Sequence, residues 1–185
     1  MTQSHSYTAT AKILHWLMAF IWIFVWIIGM MAVYGRDTFN PQHGLTILHK
    51  AVASTLLALI VIRIIWRLTH TPPALPNTMS KHMQQMAKLG HLALYLLALI
   101  GMPLSGWLLS SFANKPVLFA GLFTLPPLTG PQPEYTGLMR EIHTYLGWFC
   151  GLMVAGHILV ALKHHFIDKD NVLISMAPDH GKHKK

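Results

Sequence analysis

The sequence predicts an all-α membrane protein: a four-transmembrane-helix bundle with both termini cytoplasmic, forming one domain over residues 1–185. Two observations predict it. Hydrophobic residues make up 53% of the chain and charged residues 11%, against roughly 25% charged in soluble domains. The apolar residues also fall into four runs, each long enough to cross a bilayer. A mean hydropathy of +0.44 excludes a disordered tail, a collagen-like repeat and an ordinary cytosolic domain.

The first run has no charged residue between Ile13 and Gly35 and contains Trp22, Phe24 and Trp26. At about 1.5 Å per residue it covers the ~30 Å hydrocarbon layer. A signal peptide has an apolar core about half that length, so the run reads as an uncleaved span over about 13–35. The second span covers about 45–68, with Lys50, Arg63 and Arg67 near its ends, where long cations can snorkel to the interface. The third covers about 89–114, and Pro103 within Gly101-Met-Pro-Leu-Ser-Gly106 predicts a kink. The fourth covers about 142–165. Residues 117–133 are apolar but crowded with Pro126, Pro127, Pro131, Pro133, Gly121 and Gly130. They fail as a span and read as a loop against the head groups over the outer mouth of the bundle.

The formal charge is +8. The basic residues are not gathered on one polar stretch with interleaved aromatics, which argues against nucleic acid. They stand at the ends of apolar runs, where they meet anionic lipid. Lys12, Arg63, Arg67, Lys81, Lys88, Lys163, Lys169, Lys182, Lys184 and Lys185 fall on the terminal side, and Arg36, Lys50, Lys115 and Arg140 on the other. That bias puts both termini in the cytoplasm and, in a bacterium, the protein in the inner membrane. Cys150 is the single cysteine, which excludes an internal disulfide, a Cys-x-x-Cys site and covalent c-type haem attachment.

Thirteen histidines is a high count. His5, His43, His70, His82, His180 and His183 lie in polar sequence, and the His180/His183 pair reads as a basic tail or a metal site. His15, His49, His91, His143 and His157 lie within or at the edges of spans, where an imidazole is costly without a partner. His143 and His157 are 14 residues apart on one helix, within ~40° of one face and separated by ~21 Å along the axis. His49 matches His143 in depth on the outer side, and His15 matches His157 on the inner side. Two interhelical pairs at two depths are what two haems stacked across a membrane require, each iron taking one imidazole from each of two helices. His91 is the alternative inner ligand in place of His15, or a hydrogen-bonding neighbour of that haem. Gly147, Gly151 and Ala155 offer a small-residue stripe near His143, as a flat macrocycle needs and as close helix packing also needs. The spans lack the acidic residues of a metal transporter and a four-ligand zinc cluster, and the paired depths disfavour a haem-free transporter or membrane chaperone.

The chain resembles the bacterial cytochrome b561 family over nearly its whole length. The resemblance is carried by Ile13-Leu-His-Trp16, His49-Lys50, Arg63-Ile-Ile-Trp-Arg67, Leu89-Gly-His-Leu-Ala-Leu-Tyr95 and Pro103-Leu-Ser-Gly-Trp107. It is strongest in the run from His157 through Lys163-His-His-Phe-Ile-Asp-Lys-Asp-Asn171. More distantly, the 14-residue spacing is similar to that in cytochrome b subunits of membrane-bound hydrogenases and formate dehydrogenases. The resemblance implies two haem b groups, held by His49–His143 and His15–His157, and electron transfer between the periplasmic face and the quinone pool. Its implied activity is oxidation of superoxide to dioxygen with ubiquinone as acceptor; the alternative is a relay subunit serving a partner dehydrogenase or small periplasmic redox protein.

Lys50, Lys115, Arg36 and Arg140 are then the candidates for steering superoxide. With Asp37, Glu134 and Glu141 in the same loops, the outer charge is only about +1. Arg67, His91, Lys163, His164 and His165 cluster by depth as quinone candidates at the inner surface. Histidine there suits proton relay, whereas Arg67 and Lys163 also suit phosphate anchoring, and Asp168 and Asp170 suit pairing with nearby basic residues.

Overall fold

The computed structural model describes residues 6–76 and 79–178. His5, His180, His183, Lys182, Lys184 and Lys185 lie outside the described residues. In chain order the helices are α1 (Ala9–Tyr34), α2 (Arg36–Phe39), α3 (Gly44–Thr69), α4 (Lys81–Ala93), α5 (Met102–Phe112), α6 (Pro133–Lys163) and α7 (Val172–Met176). π-Helical turns over Leu94–Gly101 join α4 to α5, and a second π-helical stretch, His164–Asp168, prolongs α6. Four spans are therefore long and apolar enough to cross a membrane: Ala9–Tyr34, Gly44–Thr69, Lys81–Phe112 and Pro133–Asp168. The helices outrun the charge-free stretches, as polar first turns emerge from the apolar layer. α6 begins at Pro133, whose ring presets the first helical φ.

α1 is capped by Thr8, whose hydroxyl accepts the Ala11 N–H at 3.3 Å. It packs along α3, and α6 packs along the third span. The α1–α3 turn is pinned by Asn40, 2% exposed. Its amide donates to Thr46 Oγ1 at 2.8 Å and its Oδ1 accepts the Leu45 N–H at 3.0 Å. The apolar loop after α5 is not without order. It forms an antiparallel hairpin, β1 (Leu118–Phe119) with β2 (Phe123–Thr124), pairing Phe119 with Phe123. Its turn places Ala120 and Gly121 at φ 50° and 75°. The hairpin is tied to α3, because the Ala120 N–H reaches Ala51 O at 3.1 Å.

Between the two helical hairpins lies a core of Met18, Trp22, Leu56, Ile60, Ala98 and Cys150. Large apolar side chains such as Phe20, Leu68 and Leu152 point outward, as a bundle solvated by lipid requires.

Pro103 acts differently from the simple kink that the sequence predicts. The Met102 N–H bonds to Leu97 O, five residues back. Pro103, lacking an N–H, then stands where the donor to Ala98 O would be. The Trp22 indole of α1 supplies that donor, with Nε1 2.9 Å from Ala98 O in a fully buried setting. Gly101 belongs to the same turn: a Cβ there would lie 3.1 Å from Leu96 O. Trp26 Nε1 similarly donates to Gly147 O of α6 at 2.9 Å, and Gly151 leaves room for its ring, since a Cβ would come within 2.9 Å of it. The stripe on α6 therefore receives an indole and, at Gly147, the methyl ends of Met30 and Met102.

Trp22→Phe keeps an aromatic ring but removes the indole N–H and part of the ring, leaving Ala98 O unpaired. A loss of about 1–3 kcal/mol is expected, read as a lower apparent Tm of the detergent-solubilised protein by circular dichroism. An unchanged Tm would show that the carbonyl finds another donor.

Candidate functional site

At the end of the bundle that carries the β-hairpin, His49 of α3 faces His143 of α6, with ring centroids 6.2 Å apart and planes at 87°. His49 Nδ1 lies 2.9 Å from Val25 O of α1. A carbonyl only accepts, so Nδ1 carries the proton and Nε2 keeps its lone pair. His143 Nδ1 lies 2.8 Å from Ser105 Oγ, and the Ser105 hydroxyl donates to Met102 O at 2.9 Å. With its proton spent there, Ser105 Oγ accepts from Nδ1–H, and Nε2 of His143 is free as well. Both rings sit against glycines. A Cβ at Gly29 would lie 2.8 Å from His49 Cε1, and one at Gly106 would lie 3.0 Å from His143 Cε1.

At the other end, three imidazoles converge. His15 of α1 and His157 of α6 have centroids 6.2 Å apart at 69°. His91 of α4 approaches His157 to 5.4 Å at 85°. His91 is exposed, and its Nδ1–H donates to Ala87 O at 2.7 Å. Arg63, expected to snorkel, instead turns into the bundle, because polar partners wait there. Its Nε donates to Tyr95 OH at 2.7 Å and its Nη2 to His15 Nδ1 at 3.4 Å. Its Nη1 is buried without a partner. Because Arg63 can only donate, His15 has Nδ1 as acceptor, the opposite of the His49 arrangement.

These spacings test what the imidazoles could hold. A metal–imidazole bond is about 2.0 Å and the ring centroid lies about 1.1 Å beyond the nitrogen, so two coaxial imidazoles on one metal stand about 6.2 Å apart. His49–His143 and His15–His157 both match that span; His91–His157 is shorter. The donor set is imidazole nitrogen alone, and His49 with His143 and His15 with His157 are the residues that would hold haem iron.

The other candidates separate into groups. Lys163 Nζ lies 2.6 Å from Asp168 Oδ2. His164, 4% exposed, directs Nδ1 to Asp170 Oδ2 at 2.7 Å and Asp168 Oδ2 at 3.1 Å. Asp170 Oδ1 also accepts the Val172 N–H at 3.0 Å. These groups form a latch that sets α7 back against the chain start, where Trp16 Nε1 donates to Met176 O at 2.9 Å. The donor atoms of His164, Asp168 and Asp170 lie within 4.8 Å of one another, but their ion pairs and hydrogen bonds already occupy them. His165 stacks edge-on against Phe166. Arg67 is exposed in the last turn of α3. Near the β-hairpin, half-buried Lys50 donates to Pro116 O at 3.4 Å and feels the charge of exposed Lys115. Arg36 lines an open cleft with Asp37 and His43, and Arg140 is exposed on α6 three residues before His143.

Sequence reasoning passed over Val25 O, Gly29, Ser105, Gly106 and the inward turn of Arg63. Ser105 and Gly106 do fall within a motif it singled out, but nothing in the sequence aligns Gly29 with His49.

The model of the prokaryotic cytochrome b561 family matches residues 6–179. Cytochrome b561 homolog 2 of Escherichia coli (strain K12) is 34% identical over 173 residues, 92% of this chain and 90% of its own length. The probable superoxide oxidase CybB of Yersinia pestis is 26% identical over 166 residues, 89% of this chain and 92% of its own length. The chain belongs to the prokaryotic cytochrome b561 family, whose members are multi-pass membrane electron-transfer proteins, and membership implies haem b.

Gly29→Ala is expected to push the His49 ring off Val25 O. Haem b per polypeptide, measured as the pyridine haemochrome, should fall. Full haem content with an unaltered spectrum would show that the close approach is dispensable.

Proposed function

We propose that this family member is a di-haem b protein of the bacterial inner membrane. It oxidises superoxide to dioxygen at the periplasmic side and reduces ubiquinone at the cytoplasmic side. The observation that carries the reading is the pair of cross-helix imidazole couples, one at each end of the bundle, both 6.2 Å apart.

His49 and His143 would hold one haem and His15 and His157 the other, with His91 beside the second as hydrogen-bonding partner. Haem b, when bound, supplies one-electron storage. A haem held by two histidines would leave oxygen no place to bind the metal, so donor and acceptor would exchange electrons with it without ligating it. Two superoxide ions give up one electron each and leave as two dioxygen molecules; one quinone takes both electrons and two protons to become quinol.

The chain's own residues supply charge and protons. Lys50 follows the ligand His49 directly, and with Lys115 it makes a cationic approach at the end holding the β-hairpin, suited to an anion. The basic-residue bias supports that end as periplasmic. At the opposite end, exposed His91, whose ring meets His157 at 5.4 Å, is suited to deliver protons to quinone. The likeness to a probable superoxide oxidase supports the choice of donor.

Purified protein should be reduced rapidly by superoxide and reoxidised by ubiquinone unaided. Reduction no faster than that of an unrelated bis-histidine haem protein would refute superoxide as donor and favour a relay subunit, which should co-purify with its own donor. His49→Ala and His143→Ala should lose one and the same haem, and His15→Ala and His157→Ala the other. Retention of both haems in His15→Ala, with loss of one in His91→Ala, would exchange those two roles. Lys50→Gln should slow the superoxide step severalfold at low ionic strength and little at high salt; equal slowing at both would remove Lys50 from steering.

A further inference from the structure

Arg63, half-buried with its Nη1 sealed off, is the group that the electron-transfer reading leaves unexplained. Its Nε is engaged by Tyr95 OH at 2.7 Å, and its Nη1 is sealed from solvent with no acceptor. Its Nη2 reaches His15 Nδ1 at 3.4 Å, an arrangement that cannot survive metal binding at His15. Nε2 coordinates only when the proton sits on Nδ1, which converts Nδ1 from acceptor to donor. Ligation at His15 therefore takes the acceptor away from Nη2 as well. Two neighbouring N–H groups of one planar fork are then left open beside the His15–His91–His157 cluster, the geometry that receives both oxygens of a carboxylate.

Among the described residues no carboxylate pairs with Arg63, and Asp168 and Asp170 are engaged by Lys163 and His164. A permanent charge held inside an apolar bundle calls for a resident anion. We propose that Arg63 anchors a propionate carboxylate of the haem held by His15 and His157, with Tyr95 fixing the orientation of the fork. The inference rests on the two-haem reading. A single cofactor then brings both the metal that resets the His15 tautomer and the anion that takes the released donors. The Tyr95 ring, 5.6 Å from Arg63 Cζ, covers one side of the guanidinium.

A fixed positive charge at that position favours the reduced state and holds the potential of that haem up. Redox titration of detergent-purified wild type, Arg63→Gln and Arg63→Lys, followed by visible absorbance with haem counted per polypeptide, tests the assignment. In Arg63→Gln one midpoint should fall by about tenfold in the reduction equilibrium, or about 59 mV for one electron, while the other stays. Arg63→Lys, which keeps the charge and loses the fork, should fall between. Loss of one haem from Arg63→Gln with both retained in Arg63→Lys also supports the anchor. Unmoved midpoints, or equal falls in both, overturn it. Unmoved midpoints with a raised KM for ubiquinone give the donors to a quinone oxygen instead. Loss of the same haem from both variants overturns it too, since a retained charge then brings no benefit. Wild type carrying fewer than two haems refutes the two-haem reading rather than the role of Arg63.

Discussion

A backbone carbonyl that a proline leaves without a donor, and the indole of another helix that fills it, hold the two halves of this bundle in register. Inside an apolar layer there is no water to complete a broken helical ladder. Ala98 O must therefore be met by a side chain, and the Trp22 indole meets it. Trp26 repeats the device against Gly147 O. These directional bonds set α1 against the third span and against α6, where lipid supplies no hydrophobic drive for helices to associate. The approach of His15 on α1 to His157 on α6 lies along the same helix pair that Trp26 joins.

The same rule governs the imidazoles, and it divides the two ends chemically. Around His49 and His143 the second nitrogen of each ring is committed to a carbonyl or to a serine already bonded to a carbonyl. There the chain itself fixes both ring tautomers and leaves each Nε2 open. Around His15 the partner is an arginine that can only donate, one of its nitrogens has nothing to donate to, and His91 stands exposed at the rim. At one end the Nδ1 atoms of both imidazoles have partners within the chain, and at the other an arginine N–H is left over.

The spans were legible because lipid imposes a single coarse demand, a long uncharged run, and the runs holding Trp22, Leu56, Ala98 and Cys150 meet it. Depth was legible too: counting residues at a fixed rise brings His49 level with His143 and His15 level with His157, and their rings do approach. What stayed hidden was rotational. Whether Arg63 reaches outward to the interface or inward to Tyr95 depends on its azimuth against a neighbouring helix, which no count along one helix supplies. Gly29 gives up its side chain to a ring on another helix, and Pro103 is answered from α1; in both cases cause and effect lie on different spans. The hairpin over Leu118–Thr124 was hidden for another reason. Its prolines and glycines mark where a span cannot be, and they do not say that Ala51 and Ser54 will pin the loop into strands.

The clasp between the chain's two ends carries a consequence in time. The acceptor for the Trp16 indole, Met176 O, lies 160 residues further along the chain. At about 5–20 residues per second of synthesis, the first helix waits roughly ten to thirty seconds before that bond can form. Until then α1 can lean on α3 and then, as each is made, on the third span and α6. The His15 end of the bundle thus gains its Trp16–Met176 clasp only after the helix that carries both His143 and His157 has been made.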